Sequence, residues 1–332
     1  MQSLRNLFFY SQYIANRANF YIHNQARHYQ TVFADPTYDA TFKMIFGNEQ
    51  HKKLLISLIN NLLDFKNEQE VKEIHLITTE IPIAYSGHLK TAIDVRCKTS
   101  DGREILVEIQ RKYKEYFLNR SQYYMAKAIS VQLEDGQSAL YNTKMLPVYV
   151  LAISRETLFK FKNDPSFEKT VVPTIKENNY IEFPGNKMHW KYFELSKFEK
   201  QYKNEIINRS HPVKLQWLDF LNKCATKKEI PEVDGLVQEA YKIMERAKWS
   251  REKIEAFELA IIEEKFEESE QEKYFQDGEA KGKSEEKIET AKKMLLLPNI
   301  TEQDISTCTG LSLPQIRDLK NSQKRSFCTM AP

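Results

Sequence analysis

Glycine is scarce, with nine in 332 residues, which argues against a sandwich or barrel built on many tight turns. Cysteine is scarcer. Cys97, Cys224, Cys308 and Cys328 are scattered with no CxxC spacing, so neither a zinc ribbon nor a disulfide framework is expected. The seven histidines form no HExxH and no close ligand pair, which removes the common zinc-hydrolase signature. No run of 18 apolar residues occurs, so no membrane-spanning helix is expected, and a reducing, cytoplasmic compartment fits. Acid is missing altogether from residues 1–34, which carry Arg5, Arg17 and Arg27. This N-terminal extension reads either as a loosely docked segment or as an organelle-targeting peptide.

What is present suits a globular protein. Hydrophobic residues make up 41% and charged residues 29%, enough for a real core. The net charge of +3 is unevenly spread: residues 251–290 hold 14 acidic and 7 basic side chains. The rest of the chain is therefore mildly basic, which suits a phosphate-rich partner or an ordinary solvated surface. Three regions are expected: an extension over 1–34, a main domain over 35–225, and a helical C-terminal region over 226–332.

Hydrophobic periodicity places the elements. Thr37 is the expected N-cap of a first helix with Phe42, Ile45 and Phe46 on one face, ending at Gly47-Asn48. A second helix spans roughly 50–64. Strands are expected at 72–79, 89–97 and 104–111, then a helix at 115–133 and a buried strand at 147–154. A loop over 162–187 precedes a strand at 188–195. Helices follow at 212–222, 233–246, 249–275 and 284–297, the last two separated by Gly278 and Gly282. The order α-β-β-β-α-β predicts an α/β core with a small mixed central sheet, followed by helices.

The strands 89–97 and 104–111 flank Thr99-Ser100-Asp101-Gly102, a strong hairpin signal. A three-residue loop places Ile93, Val95 and Cys97 opposite Ile109, Val107 and Ile105, so apolar meets apolar. The same register sets Asp94 opposite Glu108 on the other face, with Gln110 beside them. Two carboxylates that close repel unless a cation lies between them. One reading is a Mg²⁺ or Mn²⁺ site using Asp94, Glu108 and the Ile109 carbonyl, suited to phosphodiester hydrolysis. The other is a solvated acid pair neutralised by Arg96, Lys98 or Arg111.

Asp94-x(13)-Glu108-x-Gln110 on adjacent strands inside this element order resembles the PD-(D/E)XK restriction-endonuclease-like core. Asp35-Pro-Thr-Tyr-Asp39-Ala-Thr-Phe42-Lys43-Met-Ile45-Phe46-Gly47 resembles the opening of Rpn-type recombination-promoting nucleases and PD-(D/E)XK family transposases. Ile93-Asp94-Val95-Arg96, Val107-Glu108-Ile109-Gln110-Arg111 and Arg120-Ser-Gln-Tyr123-Tyr124 follow in the same order. The resemblance implies a metal-dependent endonuclease acting on double-stranded DNA, with Asp94, Glu108 and Gln110 as its catalytic set. Gln110 would stand where the superfamily name puts lysine, and an amide can orient a water or a phosphate oxygen but adds no charge. Asp39 would either complete the metal site or satisfy the first turn of its helix.

Arg120 and Tyr124 share a helix face and, with Lys43, Lys114 and Lys127, are candidates for backbone-phosphate contact. Segment 301–320 reads as a helix-turn-helix in which Gln315 and Arg317 would face DNA, or as a packing hairpin. The acidic stretch 251–290 would repel DNA, and it reads either as a solvated helix or as a surface through which the helical C-terminal region forms a homo-oligomer. A catalytically inactive DNA-binding or interaction protein derived from a mobile element is the alternative function.

Overall fold

The computed structural model describes residues 31–81, 92–133 and 141–328. The expectations about the first thirty residues, and about residues 89–91 of the second strand, fall outside them. Backbone contacts divide the chain into two compact units, Met1–Ile261 and Ile262–Pro332.

In the first unit, helices α1 (Asp39–Phe46) and α2 (Lys52–Leu62) precede strands β1 (Ile74–Leu76), β2 (Val95–Thr99) and β3 (Glu104–Gln110). Then come α3 (Phe117–Ser130), α4 (Tyr141–Lys144) and β4 (Val148–Ser154). Strands β5 (Glu168–Val171), β6 (Thr174–Ile175), β7 (Ile181–Glu182) and β8 (Met188–Glu194) follow, then α5 (Leu195–Gln201), α6 (Val213–Lys223) and α7 (Gly235–Met244). The main sheet runs β1-β2-β3-β4-β8-β5. Its first three strands are antiparallel, β4 and β8 run parallel to β3, and β5 returns antiparallel at the edge. The α/β core with a mixed central sheet, followed by helices, is thus the observed fold.

Both faces of the sheet are covered, which explains why β4 (VYVLAIS) is apolar almost throughout. On one face, Val95, Cys97, Ile105, Val107, Ile109, Leu151, Ile153 and Phe193 pack against side chains of α1, α2, α6 and α7, including Phe42, Leu55, Trp217 and Tyr241. On the other, Leu106, Val148, Val150, Ala152 and Tyr192 pack under Phe117, Met125 and Ala128 of α3. The polar-looking face of β3 is therefore roofed by a helix, and Glu104, Glu108 and Gln110 are all buried.

Several expectations require correction. Thr37 does not cap α1: Tyr38 holds the N-cap position, and Thr37 hydrogen-bonds Asp35 instead. The span 162–187 is not merely a loop, because it contributes the edge strand β5 and the β6-β7 hairpin. Helix α5, directly after β8, was not anticipated. The predicted break near Gly278 and Gly282 is absent, since α8 runs continuously from Arg251 to Met294. Each glycine costs only about 1 kcal/mol in a helix interior, and the surrounding Glu, Lys and Ala residues are strong helix formers.

In the second unit, the end of α8 packs through Ile288, Ala291 and Met294 against α9 (Glu302–Thr309) and α10 (Leu313–Cys328), around Ile305, Leu311 and Ile316. Thr301 and Asp304 form a capping box at the start of α9, and Gly310 ends it at φ 70°. That is the left-handed conformation glycine adopts without strain.

Candidate active site

The hairpin register holds in its apolar part: Val95 pairs with Val107 and Cys97 with Ile105. It stops at Val95. Asp94 sits in a bend just before β2, and its Oδ2 accepts a 2.7 Å hydrogen bond from the Ile109 N–H. A carboxylate thus replaces the backbone carbonyl that a continued ladder would offer. The bend also rephases the chain. The N–H of Ile93 bonds the Thr79 carbonyl, and its side chain joins the α3-side core instead of facing the core that holds Val95 and Ile109. In a strand the N–H and C=O of one residue leave the same edge, so the Ile109 carbonyl is directed toward the Asp94 side.

Asp94 and Glu108 are close enough to perturb one another. Burial, the Glu108 charge and the neighbouring Asp39 carboxyl hold Asp94 well above the usual carboxylate range. Burial raises Glu108 to about 7, with Arg120 and Lys43 pulling it down and Asp39 pushing it up. Glu108 Oε1 is buried and, among the described residues, has no hydrogen-bond partner. Its Oε2 lies 3.5 Å from the Arg120 guanidinium. Asp39, on the first turn of α1, forms a 2.9 Å ion pair with Lys43 one turn later, so α1 brings one acid and one base to the same site.

Two of the three cations expected to neutralise a mere surface acid pair are engaged elsewhere. Arg96 forms a buried 2.6 Å ion pair with Glu104. Arg111 bonds Asp35 at 2.8 Å and lies over the Tyr38 ring. Lys98 is exposed.

Gln110 is committed to the protein. Its Nε2 donates to the Lys112 carbonyl at 2.8 Å and its Oε1 accepts from Arg120 at 3.0 Å. Arg120 lies among the rings of Tyr116, Phe117 and Tyr124. Tyr124 donates a long 3.3 Å bond to the Ala92 carbonyl, and burial together with the nearby Glu108 charge raises its hydroxyl pKa. Lys127 is buried. Asp94, Glu108, Gln110, Arg120, Tyr124, Asp39 and Lys43 are thereby gathered in one place from β2, β3, α3 and α1.

Gln315 and Arg317 belong to the second unit and have local partners. The Gln315 amide oxygen accepts from the N–H and hydroxyl of Ser312 at 2.9 and 2.8 Å. Arg317 pairs with Glu302 at 3.1 Å.

One supporting cluster escaped the sequence reading. Asp35 accepts from Arg111 at 2.8 Å and from Arg155 at 2.6 Å. Burial opposes its charge, but Arg155, Arg111 and Thr37 together hold the carboxyl below its usual range. The cluster ties the lead-in to α1 to the ends of β3 and β4. A signal was available, since each arginine directly follows the C-terminal end of one of two parallel strands, where open α/β sheets build their sites.

A divalent ion suits this donor set by charge and hardness. Two neighbouring carboxylates with raised pKa values and one orphaned carboxylate oxygen are what an acid pair shows when nearby cations balance it only in part. Among the described residues, however, no group of three or more His, Cys, Asp or Glu side chains is arranged to hold a metal ion. Asp39 pairs with Lys43 at 2.9 Å, and its carboxyl also lies against that of Asp94.

Comparison with known proteins supplies the remaining finding. Residues 36–291 match the family described as PD-(D/E)XK nuclease family transposase. No curated protein and no solved structure matches the chain.

Proposed function

Since the chain belongs to the PD-(D/E)XK nuclease family transposases, we propose that it is a metal-dependent endonuclease that hydrolyses phosphodiester bonds of double-stranded DNA. The observation that carries this reading is the close carboxylate pair Asp94–Glu108 at the end of the β2-β3 ladder, with Glu108 buried and its Oε1 left without a hydrogen-bond partner. These two carboxylates, with the Ile109 carbonyl, would hold Mg²⁺ or Mn²⁺. When bound, such an ion activates a water and stabilises charge on the scissile phosphate. Glu108 must lose its proton to act as a ligand. The Ile109 N–H keeps one oxygen of Asp94 fixed in orientation, and Gln110 holds Arg120 beside Glu108. Arg120, Tyr124 and Lys43 would meet phosphate oxygens.

A cytoplasmic setting accords with free thiols at Cys97, Cys224 and Cys308. No helix among the described residues is long and apolar enough to cross a membrane. One observation favours the second reading, a non-catalytic DNA-binding protein: Gln110 is bonded at both ends of its amide and Arg120 already faces Glu108. Nicking of supercoiled plasmid in Mg²⁺, Mn²⁺, Ca²⁺ and EDTA separates the two. Nicking in Mg²⁺ or Mn²⁺ that EDTA and Asp94→Ala both abolish upholds the enzyme. Binding without nicking in every metal upholds the alternative.

A further inference from the structure

We propose that the rim beside the acid pair is a stacking platform for unpaired nucleotides, so that the preferred substrate is a strand with a single-stranded stretch next to the cleavage point. This rests on the nuclease reading and names its substrate class. The chain leaves β3 at Gln110 and within six residues presents two exposed tyrosines, Tyr113 and Tyr116 (43% and 54% exposed). Tyr116, Arg120 and Tyr123 then recur at helical spacing along α3, which sets them on one face. From the loop after β4, Lys160 places its ammonium 4.0 Å from the Tyr113 ring centroid, and the next residue, Phe161, is 66% exposed.

The rim is continuous with the site. Arg120 lies 3.0 Å from Gln110 and 3.5 Å from Glu108, and its guanidinium carbon lies 6.0 Å from the Tyr116 ring centre. A nucleotide flanking a phosphate held at the acids would therefore meet Tyr116 first. Charge favours the same occupant, because segments 112–127 and 156–162 carry six basic and two acidic side chains. Exposed rings interleaved with cations bind single strands, since every base offers a π-face and the backbone offers charge. A paired duplex hides those faces, so a surface reading duplex phosphates gains little from exposed rings.

The test uses the full chain in EDTA, where no cleavage intervenes, and fluorescence anisotropy on three probes: an oligothymidylate of about 20 nucleotides, a blunt duplex, and the same duplex with a thymidylate tail. The oligothymidylate and tailed probes should bind about tenfold more tightly than the blunt one. Tyr113→Ala and Tyr116→Ala should each weaken binding of the tail about tenfold, while Tyr→Phe at either position retains it, because stacking needs the ring and not the hydroxyl. Equal affinity for tailed and blunt probes overturns the proposal, as does unchanged tail binding in the alanine variants. Loss in the phenylalanine variants overturns it in favour of hydroxyl–phosphate contacts. Wild type that binds none of the probes also overturns it and points to a protein partner. Plasmid nicking is scored separately: tail binding through the tyrosines without any cleavage upholds this inference and sinks the nuclease reading. Cleavage with no preference for tails does the reverse.

Discussion

Glu104 and Glu108 lie on the same strand and the same face, both under α3, and are 1% and 3% exposed. Glu104 faces Arg96, itself 5% exposed, at 2.6 Å. Glu108 lies beside another acid, keeps its Oε1 without a hydrogen-bond partner among the described residues, and meets Arg120 at a longer 3.5 Å. Burial by itself therefore says nothing about role. A buried carboxylate matched by a buried guanidinium serves the fold. One left only partly matched beside a second carboxylate is a cost to the fold, and under the nuclease proposal a bound cation would offset it.

The largest expected effect is on the structural member. Glu104→Ala strands a buried guanidinium and should cost about 3–5 kcal/mol in urea unfolding, whereas Glu108→Gln should cost little or stabilise the metal-free protein. Comparable losses from both would erase the distinction.

Cleavage should invert the ranking. Asp94→Ala or Glu108→Ala is expected to lower Mg²⁺- or Mn²⁺-dependent nicking by at least about 10²–10³-fold, the scale for removing a group that acts in the transition state, with the fold intact by circular dichroism. Wild-type rates in both would remove this hairpin as the active site.

The pH dependence follows from the sign of the shift. Glu108 titrates near 7 in the folded chain against 4.5 for an unperturbed carboxyl. The folded state binds the extra proton, so in EDTA the Glu108 contribution to stability is fully present below about pH 4.5 and is lost as pH rises through 7. Glu108→Gln should flatten that slope. Added Mn²⁺ should raise the melting temperature more at pH 8 than at pH 6, because ligation needs both carboxylates deprotonated.

A smaller effect is expected at Gln110. Gln110→Lys removes the acceptor that holds Arg120 but adds charge beside the acids, so nicking should stay within about tenfold of wild type. A larger loss in a folded variant would show that the amide itself is required. The smallest effect is expected from deleting 298–332. With Gln315 and Arg317 both engaged locally, cleavage and the salt dependence of DNA binding should change little. A slope reduced by one or more phosphate contacts would instead make the tail a reader.

By itself the sequence determined the pattern that repeats every two or every three to four residues. The α/β order, the pairing of Val95 with Val107 and Cys97 with Ile105, and the buried face of α1 were all legible, because alternation and helical spacing are local properties that burial enforces. The sequence also put Asp94, Glu108 and Gln110 near one end of one hairpin. Only the tertiary structure decided what those groups meet. The bend at Asp94 sends Ile93 to the opposite core and turns a carboxylate onto the Ile109 N–H. Arg96 and Arg111 are drawn to Glu104 and Asp35, and Gln110 is bound by Arg120 from a different element. A buried polar group takes whichever partner packing brings within about 3 Å. That choice is made between segments far apart in the chain, where no spacing rule reaches.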